Sequence, residues 1–317
     1  MPLILEKVDK PRVFLWGGCD LYECATIDII RQNFSIDILN VGPHLNKHLD
    51  FDHAPKTASL VTSLISLYQP AGIIAERVYD TLSTSKDKLK PHHYAAHKEI
   101  CKFPYLEFFR KNANNQDILL LSFSTEFYTK ISQGKERFTI LPQLTPLADP
   151  SDPLHWLFLE YISNAKYQTA FDEPYSLHET FELLKEFAKD IKSIFGTRVI
   201  IVKTHLTSLG YESNIGRVTK LTTSLDTYLP FYKTSRIKLH DGDHSYAERQ
   251  ADLIVKGFMR YFGEQVPVIA LQEPFFIDLN HPHGLAPFHL HQQSSYKIGM
   301  LINNALHAMC AKEKSNG

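Results

Sequence analysis

The chain has almost no net charge: 34 Lys and Arg stand against 35 Asp and Glu, and the isoelectric point is near 7.0. It therefore lacks the positive excess with which proteins neutralise phosphate backbones, and a nucleic-acid partner is not expected. Cysteine is sparse, four residues in 317, at positions 19, 24, 101 and 310. That density and spacing give neither a disulfide framework nor a zinc ribbon and point to a reducing compartment. No apolar run approaches the ~20 residues that a membrane-spanning helix needs, so no transmembrane segment is expected. The few apolar residues ahead of Glu6 are too short for a secretory leader, and the expected setting is the cytoplasm. There is no fixed-period repeat, low-complexity tract or composition shift to mark a linker, which leaves one domain over residues 1–317.

What is present is organised around residues 12–20, Arg-Val-Phe-Leu-Trp-Gly-Gly-Cys-Asp. Val13, Phe14, Leu15 and Trp16 form a continuous apolar run, the mark of a strand covered on both faces in a parallel sheet. Gly17 and Gly18 allow a tight turn, and Asp20 is a suitable N-cap for a helix read from Leu21 to Gln32. Cys19 then lies at the carboxyl end of a strand and beside a helix start, where open α/β sheets bind ligands and a thiolate is favoured. A buried structural cysteine is the competing reading.

The rest of the chain repeats that alternation of strand and helix. Strands are read at 35–42, 117–123, 138–144, 197–205 and 266–271, the last near an edge because Pro267 has no ladder donor. Helices are read at 58–67, 91–112, from Asp152-Pro153 onward, 176–195, 217–232, 244–262 and 296–311. In the helix over 176–195, Leu177, Phe181, Leu184, Phe187 and Ile191 recur at helical spacing, and Ser176 with Glu179 makes a capping box. The expected fold class is α/β: a three-layer α/β/α sandwich with a mainly parallel central sheet and helical insertions at about 91–112 and 151–195. Residues 43–57, 142–153 and 272–295 are the expected site loops.

The last of these loops contains Asp278 and His281, three residues apart, with Pro282 following. Held side by side, the carboxylate accepts the Nδ1 proton and leaves Nε2 as a base. A Gly-x-Cys turn after the first strand together with a late Asp-x-x-His-Pro resembles the SGNH/GDSL hydrolase superfamily. There the turn supplies the nucleophile and the late motif the rest of a triad. A narrower similarity is to bacterial SGNH-like proteins that begin with a strand ending in Gly-Ser-Cys. Their counterpart segments are similar to Gly284-Leu-Ala-Pro-Phe-His289 and to Lys56-Thr-Ala-Ser-Leu-Val-Thr-Ser63 of this chain. Such proteins are associated with surface-polysaccharide loci, and cysteine-bearing ones with acetyl transfer in capsule synthesis.

The resemblance implies Cys19 as nucleophile, Asp278 and His281 as its partners, and His289 as the alternative base. Gly18 stands where the narrower family has Ser, and Ser122-Phe-Ser-Thr-Glu126 stands where an oxyanion-hole asparagine is usual. The amides near Gly18 and Asp20, with Ser124, are the candidate oxyanion donors. Lys56, Lys203 and His205 are candidate contacts for an acyl oxygen or a coenzyme phosphate. The expected reaction is O-acetyl transfer to a glycan or nucleotide-sugar acceptor, with acetyl-CoA as co-substrate and no permanently bound cofactor. Three alternatives stand beside it: a glycan esterase, a non-catalytic glycan binder, and a metal site built from His281, His283, His289, His291 and the Asp241-Gly-Asp-His244 stretch. No metal is expected, because Asp241–Asp243 reads as a turn and because the His-x-His spacing is taken to turn the two rings to opposite faces.

Overall fold

Short apolar runs alternating with amphipathic helices assemble, in a computed structural model, around a five-stranded sheet. The structure describes residues 10–37, 68, 105–123, 130–133, 136–139, 166–168, 174–205, 207, 209–220, 245–280 and 289–316. In chain order these form β1 (Arg12–Trp16), α1 (Cys19–Ala25), α2 (Asp28–Asn33), β2 (Ser35–Asp37), α3 (Tyr105–Asn112) and β3 (Ile118–Leu121). Next come β4 (Lys130–Gln133), β5 (Glu136–Thr139), β6 (Lys166–Gln168), α4 (Pro174–Phe195) and β7 (Val199–Val202). The chain ends with β8 (Leu209–Glu212), β9 (Arg217–Lys220), α5 (Ser245–Phe262), β10 (Val268–Ile269), β11 (Ile277–Asp278) and α6 (Gln292–Asn316).

The central sheet has the order β10-β7-β3-β1-β2, with every neighbouring pair parallel. The chain leaves β1 toward β2 and returns to the other side of β1 for β3. A crevice therefore opens between the carboxyl ends of β1 and β3, where the winding reverses. Antiparallel hairpins make two smaller sheets, β5-β4-β6 and β11-β8-β9, although β11 itself joins β8 in parallel.

The apolar runs of β1, β3 and β7 divide by strand period between two cores. Phe14, Trp16, Leu119, Leu121, Val199 and Ile201 face α3, α4 and α5, whereas Val13, Leu15, Ile118, Leu120, Ile200 and Val202 face α1, α2 and α6. The first core is aromatic. Phe14, Phe109 and Phe195 meet edge-on with centroids 5.4 to 5.7 Å apart, and Trp16 lies 4.9 Å from Phe187. Edge and tilted contacts of this kind let ring quadrupoles attract. The second core is mostly aliphatic. Because α4 supplies Leu184, Phe187, Ala188, Ile191 and Phe195 to the aromatic core, it closes the sheet between β3 and β7 and belongs to the sandwich. Tyr68 adds a polar tie on that side: its hydroxyl donates to Asp190 at 2.7 Å, and Arg110 pairs with the other carboxylate oxygen at 2.6 Å.

Several local expectations are corrected. The helix read over 21–32 is two helices, because Thr26 spends both its N–H and its hydroxyl on the Tyr22 carbonyl and Ile27 is extended. Gly18, in place of Asp20, is the N-cap of α1. Helix α4 starts at Pro174, ahead of the Ser176 box, in keeping with proline's fitness for a first helical turn. Strand β5 begins two residues ahead of the expected 138–144, of which 140–144 lies outside the described residues, and α6 begins before Tyr296. Arg217–Lys220, read as the start of a helix, is instead a strand paired with β8, and Gly216 at φ 65° makes the intervening turn. The edge position of β10 is as expected from Pro267. Helices read at 58–67, at 91–104 and from Asp152 through Trp156, Leu159 and Ile162 lie outside the described residues, as do 221–232 of the misread segment. Among the described residues no helix is long and apolar enough to cross a membrane.

Candidate functional site

The five parallel strands of the central sheet end on one rim. Beyond β1 the chain turns at Gly17, where a Cβ would stand 2.8 Å from Leu21 Cδ2 and 2.9 Å from Ser122 Cβ. The turn can therefore press against the end of β3 only with glycine at this position. Gly17→Ala is expected to destabilise the fold by about 1–3 kcal/mol through overpacking. Chemical denaturation checks this, and a loss below a few tenths of a kcal/mol would show that the turn has room. Ser122 fixes the other side of the crevice. Its N–H donates to the Trp16 carbonyl at 2.6 Å, and its buried hydroxyl pairs with Thr204 at 3.2 Å, so the ends of β1, β3 and β7 are tied together.

Cys19 opens α1 directly after this turn, and the helix begins with Tyr22 N–H donating to the Gly18 carbonyl at 3.2 Å. Its backbone thus stands at the reversal between β1 and β3, and the first-turn amides, including that of Asp20, have no acceptor within the helix.

Lys203 and His205 at the end of β7, candidate ligand contacts for which a strand-end polar cluster is the competing reading, both have partners within the fold. Lys203 Nζ pairs with Asp252 of α5 at 2.9 Å. His205 is buried, and its Nε2 accepts the Leu271 N–H at 2.7 Å, joining the ends of β7 and β10. Burial, helped by the Lys203 charge and opposed by a hydrogen bond with the Lys203 backbone, pushes this imidazole down to about 4. His205 therefore acts as a neutral strap.

The sign of the consequence follows from linkage. The unfolded chain protonates His205 near its ordinary value of about 6.5, whereas the folded chain resists until about 4. Stability from this group is complete above pH 6.5 and is lost as the pH falls toward 4, by an amount on the order of 2–3 kcal/mol. Urea unfolding at both ends of that window should show a shallower acid loss in His205→Gln than in the parent. Equal slopes would refute the strap.

The far end of the chain is built on the second sheet. Asp278 pairs in register with Tyr211 of β8, and the chain returns to make an antiparallel bridge between Ile277 and Leu290. Asp278 N–H donates to the His289 carbonyl at 3.0 Å, and His291 N–H to the Phe276 carbonyl at 2.8 Å. Asp278 therefore stands directly opposite His289, and side chains of opposed residues share a face about 5 Å apart at Cβ. His289 is buried and Asp278 half-buried, with one Asp278 oxygen accepting the Asn280 N–H at 2.9 Å.

The same register corrects the reading of His-x-His. An extended chain repeats every two residues, so His289 and His291 share a face. Among the described residues, no group of three or more His, Cys, Asp and Glu side chains is placed to hold a metal ion. Lys56, Ser124 and His281, together with His283 and the Asp241–His244 stretch, lie outside the described residues.

Two features escaped sequence reasoning. The Ser122–Thr204 hydroxyl pair joins residues far apart in the chain, and its only trace is that each lies within two residues of the end of a strand's apolar run. Tyr211 lies in a four-residue strand within a polar stretch too short to show a period. Comparisons of the chain with protein-family models, curated proteins and solved structures give no match.

Proposed function

We propose that the protein is an acyltransferase that works through Cys19, carrying an acetyl group from acetyl-CoA to a glycan or nucleotide-sugar hydroxyl in the cytoplasm, on an SGNH-like fold. The observation that carries this reading is the position of Cys19 in the turn after β1, at the point where a parallel sheet reverses its winding. The opposed pair of Asp278 and His289 supports it as a carboxylate able to orient an imidazole, and His281 is the alternative base.

The balanced chemistry has two halves. The imidazole takes the Cys19 thiol proton, the new Sγ–carbonyl bond forms as the donor C–S bond breaks, and the departing thiolate recovers that proton. The imidazole then takes the proton of the acceptor hydroxyl, the ester bond forms, and Cys19 leaves as a thiolate that is reprotonated. Donors to the transient oxyanion are the amides of Cys19 and Asp20, with Ser124 as a side-chain candidate.

The test is intact-mass analysis after incubation with acetyl-CoA alone. One acetyl adduct, located on Cys19 by peptide mapping and discharged by an added acceptor, is expected. Discharge by water at the same rate would turn the reading toward an esterase, and absence of any adduct and of any turnover would dispose of it.

A further inference from the structure

We propose that the outer face of the second sheet is the acceptor subsite and binds a pyranose ring, with Tyr211 and Phe276 as its stacking surface and His291 as its hydrogen-bonding rim. This rests on the acyl-transfer reading for its role in turnover, but the face itself is defined by register. Asp278 pairs with Tyr211 across parallel strands, Val218 pairs with Tyr211 across the hairpin, and Phe276 lies opposite His291 in the antiparallel bridge. Residues paired in this way, and residues two apart along one strand, share a face. Tyr211, Val218, Phe276, Asp278, His289 and His291 therefore project together.

Ring contacts verify that placement independently. Tyr211 and His291 have centroids 4.5 Å apart at 62°, and Tyr211 and Phe276 are 6.2 Å apart at 46°. On the opposite face Gly210, Ile277 and Leu290 are buried and Leu290 is part of the aliphatic core, whereas Glu212 and Arg217, farther along the hairpin, reach the surface and face each other there.

At Gly210, Ile277 and Leu290 the sheet is closed on that side. On the other, Tyr211, Phe276 and His291 stay partly open, and Val218 is 49% exposed. The chemistry that matches is a ligand apolar on one side and hydroxylated around its edge, which describes a pyranose. Its C–H face covers aromatic carbon, and its hydroxyls reach the polar groups beside the rings. His291 is set for that edge: Nδ1 faces the Gln293 N–H at 3.4 Å, so in the neutral ring Nε2 carries the proton and donates outward. The strip adjoins Asp278 and His289 in the same register, which would bring a bound sugar hydroxyl beside the proposed base.

Saturation-transfer NMR on the full chain, with methyl glucoside, methyl galactoside, methyl N-acetylglucosaminide and methyl glucuronide as probes, tests the subsite without needing turnover. At least one probe should receive saturation at its ring protons. Its affinity should fall about tenfold or more in Tyr211→Ala and in Phe276→Ala, and survive in Tyr211→Trp, which keeps a ring and guards against misfolding. Acetylation of Cys19 by acetyl-CoA should be unchanged in these variants while transfer to an acceptor falls. Pyranoside contacts in a protein that never acetylates Cys19 would uphold the subsite and dispose of the acyl-transfer reading. Acetylation of Cys19 with no pyranoside contact would overturn the subsite alone. So would adenosine giving the Tyr211-dependent signal in place of the pyranosides.

Discussion

Cys19→Ala is expected to lower acyl transfer by about three orders of magnitude or more, the scale on which removal of a covalent nucleophile acts when the rest of a site is intact. The acetyl adduct should vanish with it, because no bond to Sγ can form. Cys19→Ser should fall between the two, since a hydroxyl at an ordinary pKa is a far weaker nucleophile than a thiol and a base matched to sulfur activates it poorly. The affinity for acetyl-CoA should change much less than turnover, because a nucleophile acts on the transition state more than on ground-state binding. The unfolding midpoint of each variant, measured alongside, separates lost chemistry from lost fold. Unchanged turnover in Cys19→Ala would eliminate the cysteine mechanism and favour the metal-dependent reading of the chain.

Phe187→Ala carries the largest expected effect on stability, a loss of about 3–5 kcal/mol. Against a total of about 5–15 kcal/mol for a typical domain, that is enough to leave a visible unfolded population near body temperature. The ring is fully buried on α4, 4.9 Å from Trp16, 6.0 Å from Phe258 and 6.3 Å from Phe123. Deleting it leaves a cavity lined by other rings, which are rigid and collapse poorly into the space. The Trp16 contact should also appear as a coupling of about 0.5–1.5 kcal/mol in a double-mutant cycle with Trp16→Leu. Guanidinium unfolding of the two singles and the double decides the matter. A destabilisation under about 1 kcal/mol would mean that α4 does not close the aromatic face as described.

Legibility followed the length over which a physical signal could accumulate. The runs at Val13–Trp16, Ile118–Leu121 and Val199–Val202 are continuously apolar because both faces are covered, and their shortness and flanking turn residues mark them as buried strands. Helix α5 was legible for a similar reason, since a stripe repeated over eighteen residues outweighs local noise. The errors fell where a few residues decide. Thr26 breaks a helix by turning its hydroxyl back on Tyr22, and the four residues of β9 have no period of their own until they pair with β8. Lys203 and His205, polar residues at a strand end, were open to a ligand contact or to a polar cluster of the fold, and the partners they have, Asp252 and the Leu271 amide, are distant in sequence.

The sequence by itself determined the α/β class, the central strands, the main amphipathic helices and the position of Cys19 in the turn after the first strand, because each of these depends on neighbours along the chain. Tertiary structure alone decided which strands adjoin, and so where the winding reverses beside Cys19. It also decided that Asp278 stands opposite His289, and that Tyr211, Phe276 and His291 share one open face. Those outcomes depend on pairing between segments from about ten to about a hundred residues apart, and register across such separations leaves no trace in the local order of residues.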